Sequence, residues 1–283
     1  MTAGWLVTGG GGMLGTDLVA RLRAAGHEVA APARDVLDLR DPESVRAALD
    51  RHRPATVVNC AAWTAVDDAE TDEDAALAVN GTAVRHLAAA CAGTGATLVQ
   101  ISTDYVFDGT GSGPYAEDAP TRPANAYGRT KLAGERAVLA AGTGYVVRTA
   151  WLYGAHGPNF VRTMAGLAAT RETVDVVADQ RGQPTWTGDL ADQVIALAGS
   201  AAPPGVYHGT SGGGTTWHGL AREVFTLLGL DPGRVRPTTS DRFPRPAPRP
   251  SNSVLGHGRW PAAGLPPIRD WREALHAAWP ELR

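Results

Sequence analysis

Cysteine is scarce: the 283-residue chain holds two, Cys60 and Cys91. Two thiols in Ala-rich or apolar surroundings make neither a disulfide framework nor a metal-ligand pattern, and they read as small core hydrophobes. Strong charge is lacking as well. With a net charge of −3 and a pI near 6.2, no global positive field recruits nucleic acid. The charged fraction of 19% beside a hydrophobic fraction of 43% argues against extended disorder. Apolar runs such as Thr56-Val57-Val58 or Leu98-Val99 fall far short of a membrane span, so no membrane partner is expected. Trp5-Leu6-Val7-Thr8 already reads as a buried strand and leaves no room for a leader segment, which makes the cytoplasm the expected location. Internal repeats, zinc spacings and P-loop spacings are missing too.

What is present begins with a strand, a glycine turn and a helix. Leu6 and Val7 run into Gly9, Gly12 and Gly15 of a G-x-x-G-x-x-G turn, and Leu14, Leu18 and Leu22 follow at helical spacing. Such a turn admits close approach of a pyrophosphate, and the helix N-terminus supplies partial positive charge. The residues expected there are Gly9, Gly12, Met13, Leu14 and Gly15. The next strand, 27–31, ends in Pro32-Ala33-Arg34, with no carboxylate where an NAD site would have one. Arg34 suits a ribose 2′-phosphate, so NADPH is expected, with NADH left open. Asp38 is either an acceptor for the adenine amino group or a turn residue. Asp41 is positioned to cap a helix from Pro42 to about Arg51.

Strand-helix alternation continues to residue 101, which implies an α/β, doubly wound parallel sheet of Rossmann type. The acidic run 66–74 reads as a solvated helix start, and Asn80-Gly81 as a kink or ordered-water site inside a helix over 75–92. Strand 97–101 delivers Ser102 and Thr103 to the carboxyl end of the sheet, where open α/β sheets bind ligands. A loop over 107–125 beside this site reads as a pocket wall rather than an idle linker. A helix from Ala126 to about Ala141 then places Tyr127 and Lys131 as i,i+4 neighbours. A phenol titrates near ~10, and an adjacent ammonium would lower that value toward working pH. Tyr-x-x-x-Lys occurs on many solvated helix faces; the glycine turn and Thr103 supply the context that favours catalysis. Beyond 150 the pattern loosens, and 241–250 is proline-rich and basic, either an extended linker or a lid whose arginine meets a diphosphate.

These residues resemble the dTDP-4-dehydrorhamnose reductases, extended members of the short-chain dehydrogenase/reductase superfamily. The resemblance rests on 57–67 (VVNCAAWTAVD), 102–109 (STDYVFDG) and 127–135 (YGRTKLAGE), with Asn159-Phe160, Asp179-Gln180, Pro184-Thr185, Arg249-Pro250 and Ser253-Val254-Leu255 further on. It implies reduction of the C4 ketone of a nucleotide-activated 6-deoxyhexose. Thr103 would polarise the ketone, Tyr127 would protonate the nascent alkoxide, and Lys131 would bind the nicotinamide ribose and lower the phenol's pKa. Asp38 and Leu39 would flank adenine, Ala61, Ala62 and Thr64 would border the cofactor, and Val66, Thr103, Asp104, Tyr105, Trp151, Asn159 and Arg249 would face the substrate. Residues 1–150 are expected to form the NAD(P)-binding region. Residues 151–283 are expected to form a smaller α/β substrate-binding region, with a return to the main sheet near 174–200. A magnesium ion and a homodimer, which some relatives use together, are left open because no carboxylate set for such an interface stands out. Three alternatives share the motifs: a ketoreductase for another dTDP-4-keto-6-deoxysugar, a non-catalytic regulatory subunit, and an epimerase or dehydratase. The last is weakened because Tyr105 stands where a dehydratase would carry Glu.

Overall fold

A computed structural model describes residues 4–282; the first three residues and Arg283, at the outer ends of the two expected regions, lie outside it. The chain runs β1 (Trp5–Thr8), α1 (Met13–Ala24), β2 (Val29–Ala30), α2 (Pro42–His52), β3 (Thr56–Asn59), α3 (Glu73–Leu77), α4 (Ala83–Thr94) and β4 (Thr97–Thr103). Then come α5 (Ala126–Ala141), β5 (Tyr145–Thr149), β6 (Leu152–Tyr153), α6 (Phe160–Thr170), β7 (Val174–Val177), β8 (Arg181–Gly182), β9 (Thr185–Trp186) and α7 (Thr187–Ala198). The last stretch holds β10 (Gly205–His208), β11 (Thr215–Thr216), α8 (Trp217–Leu227), β12 (Val235–Thr238), α9 (Arg259–Ala262) and α10 (Trp271–Leu282).

Six parallel strands form the main sheet in the order β10-β5-β4-β3-β1-β2. Its order reverses beside β1, so the crevice for a ligand opens at the carboxyl ends of β1 and β3. Leu14, Leu18 and Leu22 of α1 pack with Leu190, Val194 and Leu197 of α7 on one face. Val45 and Leu49 of α2, with Leu87 and Cys91 of α4, cover the other. Both faces are therefore buried, which is why the strands read as continuous apolar runs. The sequence placed the return to the sheet near 174–200. Helix α7 makes that return, the sheet strand itself is Gly205–His208, and Val174–Val177 instead pairs with Val235–Thr238 in a second layer. That layer packs α6, α8 and α10 around Met164, Val224, Phe225 and Leu275.

Two local expectations needed correction. The second strand is Val29–Ala30, shorter than 27–31. The helix expected over 75–92 is two, α3 and α4, joined by a π-helical turn over Ala78–Thr82. The Asn80 side chain explains the turn: Oδ1 accepts from Trp63 N at 2.9 Å, while Nδ2 donates to Trp63 O and to Thr130 Oγ1, both at 3.1 Å. The extra helical residue aims this amide at the segment after β3: of the two readings offered, a kink or an ordered water, the helix is interrupted here and protein groups partner the amide.

Candidate active site

The cradle for a dinucleotide is built by close approach. Gly9 adopts φ +67°, and a Cβ there would sit 2.6 Å from Ala61 N; one on Gly15 would sit 2.2 Å from Gly9 O. Only glycine lets the turn, the start of α1 and the Ala61-Ala62 segment meet this tightly. Gly12 caps α1 without any side-chain acceptor, so the first helical N–H groups stay available to an anion. These features fit a pyrophosphate. Arg34, in the loop after β2, is exposed. Asp38 acts as the turn residue: its carboxylate accepts from Arg40 N and Nε at 3.0 Å and from Nη2 at 2.6 Å. Those bonds to Arg40 hold the Asp38 pKa down at about 2, and they occupy the oxygens that the sequence offered to adenine.

Beneath the cradle lies a polar chain that sequence reasoning missed. Thr8 Oγ1 donates to Asn59 Oδ1 at 2.5 Å, Asn59 Nδ2 to Gln100 Oε1 at 2.7 Å, and Gln100 Nε2 to Ile101 O at 2.8 Å. Polar residues closing otherwise apolar strands were the available signal. Lys131 reaches the same Ile101 carbonyl with Nζ at 2.7 Å.

The catalytic candidates converge at the tip of β4. Asn125 caps α5 by accepting from Gly128 N at 2.8 Å. A Cβ on Gly128 would lie 2.1 Å from Tyr105 O, so glycine lets α5 press against residues 104–106 and brings Tyr127 to Thr103. Tyr105 meets the Tyr127 ring edge-on, with centroids 5.8 Å apart. Thr103 Oγ1 donates to Asp104 Oδ1 at 2.9 Å and accepts from Tyr105 N at 3.2 Å. Asp104 Oδ2 is buried without a partner; the Ser253 hydroxyl stands nearby without closing a hydrogen bond. Burial raises the Asp104 pKa to about 6 against the pull of the neighbouring hydroxyls.

Here the expected electrostatics fail. Burial first, then the Asp104 charge, push the Tyr127 phenol well above its ordinary range, and the Thr103 hydroxyl opposes them only in part. The Lys131 ammonium is bonded to Ile101 O, and the causes acting on the phenol are burial, Asp104 and Thr103. Burial also lowers Lys131 itself to about 8. The phenol therefore holds its proton at neutral pH, as a proton donor must.

The candidate substrate residues divide. Val66, Tyr105 and Trp151 are each half-buried, with the Trp151 ring stacked on Trp217, a residue the sequence reading passed over. Asn159 instead caps α6, accepting from Arg162 N at 3.1 Å and donating to Gly154 O at 2.9 Å. Arg249 pairs with Asp67 at 2.9 Å, and Asp67 also accepts from Ala247 N at 3.2 Å. The basic 241–250 segment is thus fastened to the residues after β3 as a strap, with Asn125 Nδ2 donating to Pro248 O at 3.0 Å. Among the described residues no group of three His, Cys, Asp or Glu is arranged to hold a metal, and no helix is long and apolar enough to cross a membrane.

Sheet order, glycine cradle and the cluster on β4 and α5 define a Rossmann-type fold of the extended short-chain dehydrogenase/reductase class. The family model for the RmlD substrate binding domain matches residues 3–283. A dTDP-4-dehydrorhamnose reductase of Streptomyces griseus is 59% identical, over 98% of this chain and 93% of its own. A dTDP-4-keto-6-deoxy-D-glucose reductase of Streptomyces niveus is also 59% identical, over 100% of this chain and 98% of its own. The crystal structure of the Bacillus anthracis dTDP-4-dehydrorhamnose reductase in complex with NADP superposes with a TM-score of 0.95 at 34% identity, covering 99% of this chain and 100% of that one. The chain belongs to the dTDP-4-dehydrorhamnose reductase family.

Proposed function

We propose that the protein is an NADPH-dependent oxidoreductase that reduces the C4 ketone of dTDP-4-dehydro-L-rhamnose to dTDP-L-rhamnose. The observation that carries this reading is the meeting of Thr103, Tyr127 and Lys131 at the end of β4, beside the glycine cradle. Gly9, Gly12, Met13, Leu14 and Gly15 would hold the pyrophosphate, Arg34 the 2′-phosphate, Leu39 the adenine, and Ala61, Ala62 and Thr64 the inner rim. When bound, NADPH supplies the hydride for C4. Tyr127 gives its retained proton to the oxygen that develops there, and Thr103 orients that oxygen. Lys131 offers its charge to the ribose hydroxyls. Asp104, Tyr105, Val66 and Trp151 face the sugar, and Arg249 exchanges its Asp67 partner for the diphosphate. Residues 1–150 act as the cofactor-binding unit, completed by α7 and β10, and the rest of 151–283 as the substrate-binding unit. A cytoplasmic setting suits the two free thiols, Cys60 and Cys91.

The name of the S. niveus relative favours a second reading, reduction of another dTDP-4-keto-6-deoxysugar by the same residues. One experiment separates the two: NADPH oxidation by the purified protein with dTDP-4-dehydro-L-rhamnose, Tyr127→Phe as control, and the product's C4 configuration read by NMR. Turnover to dTDP-L-rhamnose, lost in the variant, supports the first. Tight NADPH binding without turnover of this sugar moves the assignment to another keto sugar.

A further inference from the structure

We propose that Glu135 is a positioning residue of the active site, whose buried carboxylate, clamped by Arg148 and Ser102, holds the Lys131 ammonium and the tip of β4 in their working arrangement. This rests on the catalytic reading of Lys131 given above. Tyr127, Lys131 and Glu135 succeed one another at four-residue spacing on α5 and so share one face. Glu135 is 1% exposed, Arg148 3% and Lys131 4%. Arg148 donates to the two carboxylate oxygens through Nε at 3.0 Å and Nη2 at 2.8 Å, and Ser102 Oγ adds a third bond at 2.6 Å.

A buried ion pair gives a fold little that a well-packed apolar pair would not. This one has a further consequence. The titratable group facing Lys131 from outside its own helix is Cys60, in the segment after β3, and burial pushes that thiol to about 12. Asp104, at the end of β4, acts on Tyr127 and Tyr105, and Arg148 on β5 is turned to Glu135. Glu135 is therefore the charge that opposes the desolvation of Lys131, through space rather than by a direct ion pair. The same carboxylate anchors Ser102 while Lys131 binds Ile101 O, so residues 101 and 102 are stapled to α5 at two points. The next residue along the strand is Thr103, and its spacing from Tyr127 depends on that staple.

Lys131 is the only lysine in the chain, so protein labelled with ¹³C-lysine has a single lysine Cε resonance whose pH titration reads this ammonium without cofactor or substrate. In Glu135→Gln the midpoint is expected to fall by about one unit, as for loss of a nearby opposite charge. The alkaline limb of kcat/KM should move down with it. Glu135→Gln leaves Arg148 buried and unpaired, so E135Q/R148M, which removes both charges at similar volume, is measured alongside and should show a fall in the same direction, smaller because the repulsion of Arg148 is removed with it. Glu135→Asp, which keeps the charge, should restore the midpoint. An unmoved midpoint in a folded variant overturns the proposal whatever turnover does. A lowered midpoint with an unmoved kcat/KM profile shows Lys131 to be idle in catalysis, and overturns the reading on which the proposal rests.

Discussion

Trp151 and Trp217 lie face to face, ring centroids 3.6 Å apart and planes 8° from parallel. Trp151 has φ +48°, a left-handed conformation that bulky residues adopt at a cost of about 1–3 kcal/mol. Its neighbour is fixed in turn: Trp217 Nε1 donates to Gln180 Oε1 at 3.1 Å, and Gln180 Nε2 to Ser240 Oγ at 2.8 Å. The strained backbone and the supporting plate together fix the indole of Trp151, the residue proposed to face the sugar. Aromatic pairing contributes about 0.5–1.5 kcal/mol beyond buried area, so Trp217→Ala should raise KM for the nucleotide sugar about two- to tenfold with kcat nearly unchanged. Trp217→Phe should recover most of the loss. Steady-state kinetics decide the matter: a fall in kcat at constant KM would place Trp217 in the chemistry instead.

Two of the shifted groups at the site titrate near neutral pH. Asp104, raised to about 6, loses its charge below that pH, and Lys131, lowered to about 8, loses its charge above it. A bell-shaped kcat/KM between about 6 and about 8 follows, and Asp104→Asn should erase the acid limb. Stability runs against activity. The raised Asp104 pKa contributes stability that is lost as pH rises through about 6, and the lowered Lys131 pKa contributes stability that is lost as pH falls through about 8. Near pH 7 both groups are charged at the fold's expense. Lys131→Met should therefore lower kcat about 10²-fold or more while raising Tm at pH 7. A lower Tm would show that the buried ammonium stabilises the fold at pH 7.

How much of this was open to inspection in the sequence depended on distance along the chain. The glycine turn, the Asp41 cap and the Tyr127-Lys131 pair are local, each written within a few residues, and the structure places them as the spacing implied. The partnerships of Glu135 with Arg148, Asn80 with Trp63, Asp67 with Arg249 and Trp151 with Trp217 join separate elements. Nothing in either partner's neighbourhood announces the other. The phenol's pKa failed for a related reason: four-residue spacing puts Lys131 on the same face as Tyr127, but a carbonyl on β4 decides where the ammonium points.

Arg34 gives a test of cofactor choice. It is exposed, and Asp38 beside it is neutralised by Arg40, so this end of the cradle repels a phosphate less than an unpaired carboxylate would. Arg34→Ala should raise KM for NADPH about tenfold, the lower end for a hydrogen bond to a charged group, and leave KM for NADH within about twofold. Equal losses for both cofactors would show that Arg34 acts on something other than the 2′-phosphate.

Asn80 carries the last prediction, which concerns stability rather than turnover. Its amide satisfies both the N–H and the C=O of Trp63 and also reaches Thr130 on α5. At 2% exposure no water readily replaces it. The bonds tie three stretches together: the π-helical turn, the segment that borders the proposed cofactor rim at Ala61 to Thr64, and the helix that bears Tyr127 and Lys131. Asn80→Ala strips two backbone groups of their partner, each worth about 1–3 kcal/mol when left unsatisfied in a buried setting. Thermal unfolding should therefore show a loss of several degrees in Tm. Asn80→Asp keeps the shape and the acceptor but turns the donating nitrogen into an oxygen that faces Trp63 O, and should be at least as damaging. NADPH should recover part of the lost Tm in both variants, because a ligand that binds only the native state stabilises it by mass action. If Asn80→Ala unfolds at the wild-type temperature, the π-helical turn is held by packing alone and the amide is dispensable.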